Sequence, residues 1–251
     1  MSKWIEGRVA GIRFWTPELF TLHVDAPELS FIAGQFARLA LPAPPGATEE
    51  MVGRPYSFAN PPASSPHEFY VVTVPGGPLS PRLAALGAGA PIWLLRSANG
   101  FFCIDELPPA PVLWCLATGT GLGPFLSILR TADPWRKFAR VVLVHGVRFA
   151  RELAYRDTLD AIRAAHPGAF DVVSMVSREE APATLAGRIP AAIDDGRLEA
   201  AAGVALTAEN AQVMLCGNPA MIDDAQVALA RRGMKKHRRR APGHLTFETY
   251  W

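Results

Sequence analysis

The chain has 251 residues, 49% of them hydrophobic and 19% charged, with a formal net charge of +2. This is ordinary globular composition and length enough for one large or two ordinary domains. The near balance of charge excludes a global field for nucleic acid. Three scattered cysteines, Cys103, Cys115 and Cys216, exclude CxxC, haem-attachment, zinc and iron–sulfur spacings and suit a reducing compartment.

The N-terminal MSKWIEGR has no apolar core for a signal peptide, so a cytoplasmic protein is expected. Phe20, Leu22 and Val24 then alternate with Thr21 and His23, and QFARLAL, PYSFAN, EFYVVTV and APIWLLR follow between prolines and glycines. Short strands without long helices across residues 1–107 predict an antiparallel six-stranded β-barrel. Leu107–Leu129 lacks charge and is long enough to span a bilayer. Its prolines at 108, 109, 111 and 124 and glycines at 119, 121 and 123 break it as a lipid-exposed helix, so no stable membrane association is expected.

From residue 108 the pattern changes. Val112–Ala117 and Arg140–Val147 are continuous apolar runs, as in strands covered on both faces. Glu152–His166 reads as a helix with Tyr155, Leu159 and Ile162 on one side. Phe170–Val176 and Gln212–Cys216 read as further strands. Asn218-Pro219 then offers an N-cap and a first-turn proline, Ile222, Ala225 and Leu229 an inner face, and Gly233 a stop. Alternating strands and helices over 108–251 predict a doubly wound parallel α/β sheet, making the chain an α+β two-domain protein.

Ala117-Thr118-Gly119-Thr120-Gly121-Leu122-Gly123-Pro124 follows a buried strand and opens a helix. Glycines there let the backbone approach a diphosphate, whose charge the helix N-terminus favours. Alone the turn is weak evidence, and Pro124 replaces the usual third glycine. Arg148 ends the next strand, Arg178 follows the third, and Arg188 lies in a loop beyond. Together they can converge on a 2′-phosphate through charge-assisted bonds, which favours NADP over NAD.

In the first half, Arg54-Pro55-Tyr56-Ser57 sits in a predicted barrel strand, with Tyr56 on the opposite face from Pro55 and Ser57. An aromatic ring can stack on an isoalloxazine, a hydroxyl can bond the flavin nitrogen that takes a hydride, and an arginine can neutralise a diphosphate. In Gly77-Pro78-Leu79-Ser80-Pro81-Arg82-Leu83, Ser80 reads as an N-cap and Pro81 as the first helical residue, placing another helix start in a strand-rich domain.

These pieces resemble the ferredoxin–NADP reductases, and closely the bacterial ferredoxin/flavodoxin–NADP reductases. The resemblance covers nearly the whole chain. It rests on AGQF, RPYS, GPLSPRL, ATGTGLGP, LVHGVR, VSRE, GRIP, CGNPAM and the ending HLTFETYW, in that order. It implies an FAD-dependent enzyme passing hydride from NADPH to flavin, and single electrons onward to an acidic ferredoxin or flavodoxin. It implies that Arg54, Tyr56, Ser57, Leu79, Ser80 and Thr120 hold FAD. Arg148, Ser177, Arg178 and Arg188 would take the 2′-phosphate, and Gly119, Gly121, Cys216, Gly217 and Asn218 the rest of NADP. Glu248 would relay a proton, Tyr250 cover the flavin and swing aside for nicotinamide, and Trp251 pack on the FAD adenine. Pro78 stands where the family often has lysine.

The resemblance favours a monomer and needs no metal. Arg231, Arg232, Lys235, Lys236, Arg238, Arg239 and Arg240 crowd one stretch, either a docking patch for the acidic carrier or a solvated face. The alternative within enzymes is a reductase component supplying a separate oxygenase or other flavoprotein. A nucleic-acid-binding module using the basic run leaves the RPYS, glycine-turn and tail motifs unexplained.

Overall fold

The computed structural model describes residues 3–27 and 29–249. The first half forms β1 (Trp4–Phe14), β2 (Leu19–Asp25), β3 (Phe36–Pro42), β4 (Met51–Ser57), β5 (His67–Val72), the short helix α1 (Ser80–Ala84) and β6 (Pro91–Leu95). The six strands make one sheet in the order β4-β3-β6-β1-β2-β5, and every neighbouring pair runs antiparallel. A register shift between Val9 and Gly11 bends β1 so that its first half pairs with β6 and its second with β2. The sheet curls until the chain just past β4 meets β5, where Phe58 bridges Phe69 and the Ala59 N–H donates to the Glu68 carbonyl at 2.8 Å. The barrel interior is filled by Phe20, Leu22, Leu39, Phe58, Phe69 and Leu94, all fully buried.

The second half carries β7 (Val112–Thr118), α2 (Leu122–Leu129), α3 (Asp133–Lys137), β8 (Arg140–Val147), α4 (Arg156–Ala165), β9 (Phe170–Val176) and β10 (Leu185–Ala186). It continues with α5 (Ile189–Asp194), α6 (Arg197–Ala202), β11 (Ala211–Gly217), α7 (Pro219–Arg231) and β12 (Leu245–Thr249). Its sheet is parallel throughout, ordered β10-β9-β8-β7-β11-β12. Separate apolar clusters cover its two faces, which is why β7, β8 and β11 are mostly apolar and buried along nearly their whole length. The chain leaves β7 toward β8 on one side and returns to β11 on the other. The crevice between the carboxyl ends of β7 and β11 is therefore the topological switch point, where open α/β sheets bind ligands.

The two halves share a core. One apolar cluster runs from Leu19, Ala59 and Tyr70 of the barrel to Leu122, Phe125 and Cys216 of the second sheet. All eight residues of α2 are buried. The Ser127 hydroxyl donates to the Asn60 carbonyl at 2.7 Å, and Arg130 pairs with Glu68 at 3.0 and 3.2 Å while donating to the Ala59 carbonyl.

Two local expectations are corrected. Ser80 is the first helical residue of α1, not its cap; its hydroxyl accepts instead from the Val74 N–H at 2.9 Å. The helix predicted from Glu152 begins at Arg156, because Tyr155 takes the left-handed conformation and a separate turn occupies Ala150–Glu152. The edge strands β10 and β12 and the helices α5 and α6 add to the expected elements. Among the described residues no helix is long and apolar enough to cross a membrane.

Candidate active site

A cavity of about 400 Å³ opens where the barrel meets the carboxyl edge of the parallel sheet. Arg54, Tyr56 and Ser57 reach it from the end of β4, and Leu79 and Ser80 from the start of α1. Thr120 enters from the glycine turn and Glu248 from β12. The structure thus brings together residues far apart in sequence, from both sheets. The Ser80 oxygen already accepts a backbone N–H, so its own O–H remains available to donate.

Tyr70, from β5, also lines the cavity and carries no motif signal in the sequence. Its hydroxyl and the Glu248 Oε2 atom are buried without a hydrogen-bond partner, and groups of this kind are costly to leave so. Burial pushes the Glu248 carboxyl up to about 7, so near neutrality it holds or releases a proton. Burial likewise drives Tyr56 up to about 12, partly offset by the Arg54 charge. Tyr70 is raised well above the usual tyrosine range by burial, then by Tyr155 and the Glu152 carboxylate.

In the glycine turn, Gly119 has φ +52° and open space on the side where a Cβ would point. Gly121 and Gly217 serve the protein's own packing. A Cβ on Gly121 would lie 2.3 Å from the Cys216 carbonyl oxygen, and one on Gly217, at φ +134°, 2.2 Å from the Thr118 hydroxyl. That hydroxyl accepts the Asn218 N–H at 3.0 Å, tying the ends of β7 and β11 together. Asn218 is the cap of α7, its side-chain oxygen accepting from the Met221 N–H at 3.2 Å. Cys216 is fully buried and lies in register with Glu248 on the neighbouring strand.

Beneath the turn sits His145, which sequence reasoning passed over within LVHGVR. It is 1% exposed, and its Nε2 lies 3.2 Å from the Gly119 carbonyl, to which the neutral ring donates. Burial holds its pKa down at about 4, against the opposing pull of that bond and of Glu152.

Arg148, Ser177, Arg178 and Arg188 are exposed at the carboxyl ends of the adjacent strands β8, β9 and β10. The Arg178 N–H donates to the Arg148 carbonyl at 2.9 Å, and the Gly187 N–H to the Val176 carbonyl at 2.9 Å, so backbone bonds hold the three strand ends side by side. The Ser177 hydroxyl donates to the Val147 carbonyl at 3.2 Å. Glu152 organises the loop after β8, accepting from the Arg148 N–H and guanidinium, each at 3.0 Å.

The basic run divides. Arg231 pairs with Asp194 at 2.8 Å and Arg232 with Glu199 at 2.6 Å. Arg239 pairs with Glu106 at 2.6 Å and rests on the exposed Phe101 ring, 4.5 Å away. Lys236 lies over the Phe247 ring at 4.2 Å. Tyr250 and Trp251 lie outside the described residues.

Residues 115–227 match the oxidoreductase NAD-binding domain family. The whole chain is 46% identical over 252 residues to the flavodoxin/ferredoxin–NADP reductase of Escherichia coli (strain K12), covering 100% of both chains. It is 32% identical over 248 residues to the ferredoxin–NADP reductase of Pseudomonas aeruginosa, covering 94% of this chain and 92% of that one. Among solved structures, a ferredoxin NADP+ reductase from Neisseria gonorrhoeae with bound FAD and NADP superposes with a TM-score of 0.92 at 32% identity over 99% of each chain. The protein belongs to the flavodoxin/ferredoxin–NADP reductase family.

Proposed function

We infer that the protein is an FAD-dependent oxidoreductase exchanging electrons between NADPH and a ferredoxin or flavodoxin of acidic surface. The observation that carries this reading is the shared cavity: barrel residues, the glycine turn and a carboxyl group from β12 all meet there. The partnerless Tyr70 hydroxyl and Glu248 oxygen fit a polar cofactor such as FAD. FAD belongs to residues 1–107 and NADP(H) to 108–251. When bound, flavin and nicotinamide supply the hydride and single-electron chemistry, and the protein supplies position and electrostatics.

Arg54 neutralises the flavin diphosphate, Tyr56 presents its ring to the isoalloxazine, and Ser57 presents a hydroxyl to the reacting nitrogen. Leu79, Ser80 and Thr120 close the diphosphate end. Arg148, Ser177, Arg178 and Arg188 grip the 2′-phosphate. Gly119 gives the dinucleotide room to approach, while Gly121, Gly217 and Asn218 shape the crevice for its nicotinamide half beside Cys216. Glu248 holds a proton within the cavity. Tyr250 and Trp251, outside the described residues, are assigned to gating the nicotinamide and to the adenine of FAD on the tail motif alone. The carrier docks on the cations that lack an acidic partner among the described residues, Lys235, Lys236, Arg238 and Arg240, and the chain acts as a monomer.

The test is an absorption spectrum followed by anaerobic addition of NADPH or NADH. Flavin bands bleached faster by NADPH are expected. Equal bleaching by both would remove the 2′-phosphate assignment, and absence of flavin bands after adding FAD would overturn the reading.

A further inference from the structure

Tyr155 combines an unusual backbone with an unusual reach. It has φ 60° and ψ 22°, and among the described residues only Tyr155 and Ala183 take positive φ without being glycine. A side chain in that region carries a backbone penalty that its surroundings must offset. The offset lies in the other sheet. The Tyr155 hydroxyl is 2.6 Å from the hydroxyl of Thr21 on β2, which also accepts the Trp15 indole N–H at 2.9 Å. Its ring packs against Trp15 at 4.7 Å and stands edge-on to Tyr70 at 5.2 Å and 86°. Trp15, Thr21 and Tyr70 all belong to the barrel half, and Tyr70 lines the cavity.

The other end of this connection is the nucleotide edge. Arg148 and Tyr155 bound one loop, between β8 and α4, which Glu152 organises and which Glu179 fastens by accepting the Ala150 N–H at 2.6 Å. A single loop therefore carries a 2′-phosphate arginine at its start and a tyrosine locked into the flavin-side wall at its end. Resting on the function proposed above, the geometry points to Tyr155 as a positioning residue. It fixes the distance and angle between the dinucleotide edge and the cavity, so that nicotinamide arrives in register with the flavin. Tyr155, in its left-handed conformation just ahead of the start of α4, reaches across to the barrel.

Misplacing reacting atoms by about 1 Å can cost on the order of a hundred-fold in rate. Positioning should therefore appear in the transfer step and not in nucleotide affinity. The test is anaerobic stopped-flow bleaching of the FAD-loaded enzyme by saturating NADPH, with the affinity for adenosine 2′,5′-bisphosphate measured in parallel. Tyr155→Leu should lower the limiting rate about ten-fold or more, and leave bisphosphate affinity and bound FAD unchanged. Tyr155→Phe keeps the ring contacts and Thr21→Val removes the other half of the bond; each should lie between Tyr155→Leu and the unaltered protein. An unchanged limiting rate in Tyr155→Leu overturns the inference. A parallel fall of rate, FAD content and bisphosphate affinity also overturns it, in favour of a general folding role. Where Tyr155→Leu does not fold, the Tyr155→Phe and Thr21→Val rates decide in the same way. Failure of the underlying function would show as no bleaching in the unaltered protein.

Discussion

His145 makes a quantitative prediction about stability against pH. In the folded chain burial holds the imidazole neutral down to about pH 4, whereas its ordinary value is 6.5. Between these values the unfolded chain binds a proton that the folded chain refuses, so stability falls as pH drops from 6.5 to about 4 and levels off below. At roughly 1.4 kcal/mol per decade of proton affinity, the full loss amounts to about 3 kcal/mol. The matching variant is His145→Gln, whose amide can still donate to the Gly119 carbonyl but does not titrate. Urea unfolding of both FAD-loaded proteins at pH 7 and at pH 4.5 isolates the effect, because every other titrating group cancels in the comparison. The unaltered protein should lose about 2 to 3 kcal/mol more than His145→Gln over that interval. Equal losses would refute the picture of a neutral, sealed imidazole beneath the glycine turn.

Three further outcomes follow from the same geometry. Arg178→Ala should raise KM for NADPH about ten-fold and leave KM for NADH unchanged, as read by steady-state kinetics with a small-molecule acceptor. Gly217→Ala meets both a positive φ and the Thr118 hydroxyl 2.2 Å from its new Cβ, so urea unfolding should show a loss of about 3 kcal/mol or more. Glu248, raised to about 7 by burial, keeps its proton where the unfolded carboxyl has lost it, so its stabilising contribution is complete below 4.5 and fades as pH rises through about 7; Glu248→Gln should abolish that fade in unfolding curves and remove a turnover inflection near neutrality.

Legibility in the sequence follows the strength of the local signal. β8 spans Arg140–Val147 as the apolar run predicted, and α7 starts at its Asn218 cap and ends before Gly233, which has φ +78°. In those places period, cap and stop agree. β12 escaped notice because Leu245–Thr249 is only five residues long and gains its structure from pairing with β11, where Val213 faces Leu245 from far upstream in the chain. α5 and α6 are short and divided by Gly196 in the left-handed region. Tyr155 falls in helical phase with Leu159 and Ile162, and nothing about a tyrosine announces a positive φ. The cavity was legible as a set of motifs but not as a shape. Strand alternation sets Tyr56 opposite Ser57, yet both line the cavity, because β4 ends at Ser57 where the barrel closes. Tyr70 and His145 lie inside strands, where a buried polar residue carries no pattern of its own.

The glycine turn shows how the architecture divides rigidity from recognition. Gly121 and Gly217 allow β7 and β11 to approach so closely that a methyl group on either would overlap backbone or the Thr118 hydroxyl. The Thr118–Asn218 bond then locks the two strand ends together. α2, which the turn opens, is buried along its whole length, and Ser127 and Arg130 fasten its far end to the barrel. The turn, the cavity wall and Glu248 are therefore tied together by paired strands and a buried helix, which suits transfer chemistry that tolerates little displacement. The arginines just past the ends of β8, β9 and β10 are exposed, on strand ends that backbone bonds hold side by side. On the inference above, Tyr155 ties the loop that begins at Arg148 to the barrel wall through Thr21, so the placement of one end of that loop is linked to the wall of the cavity.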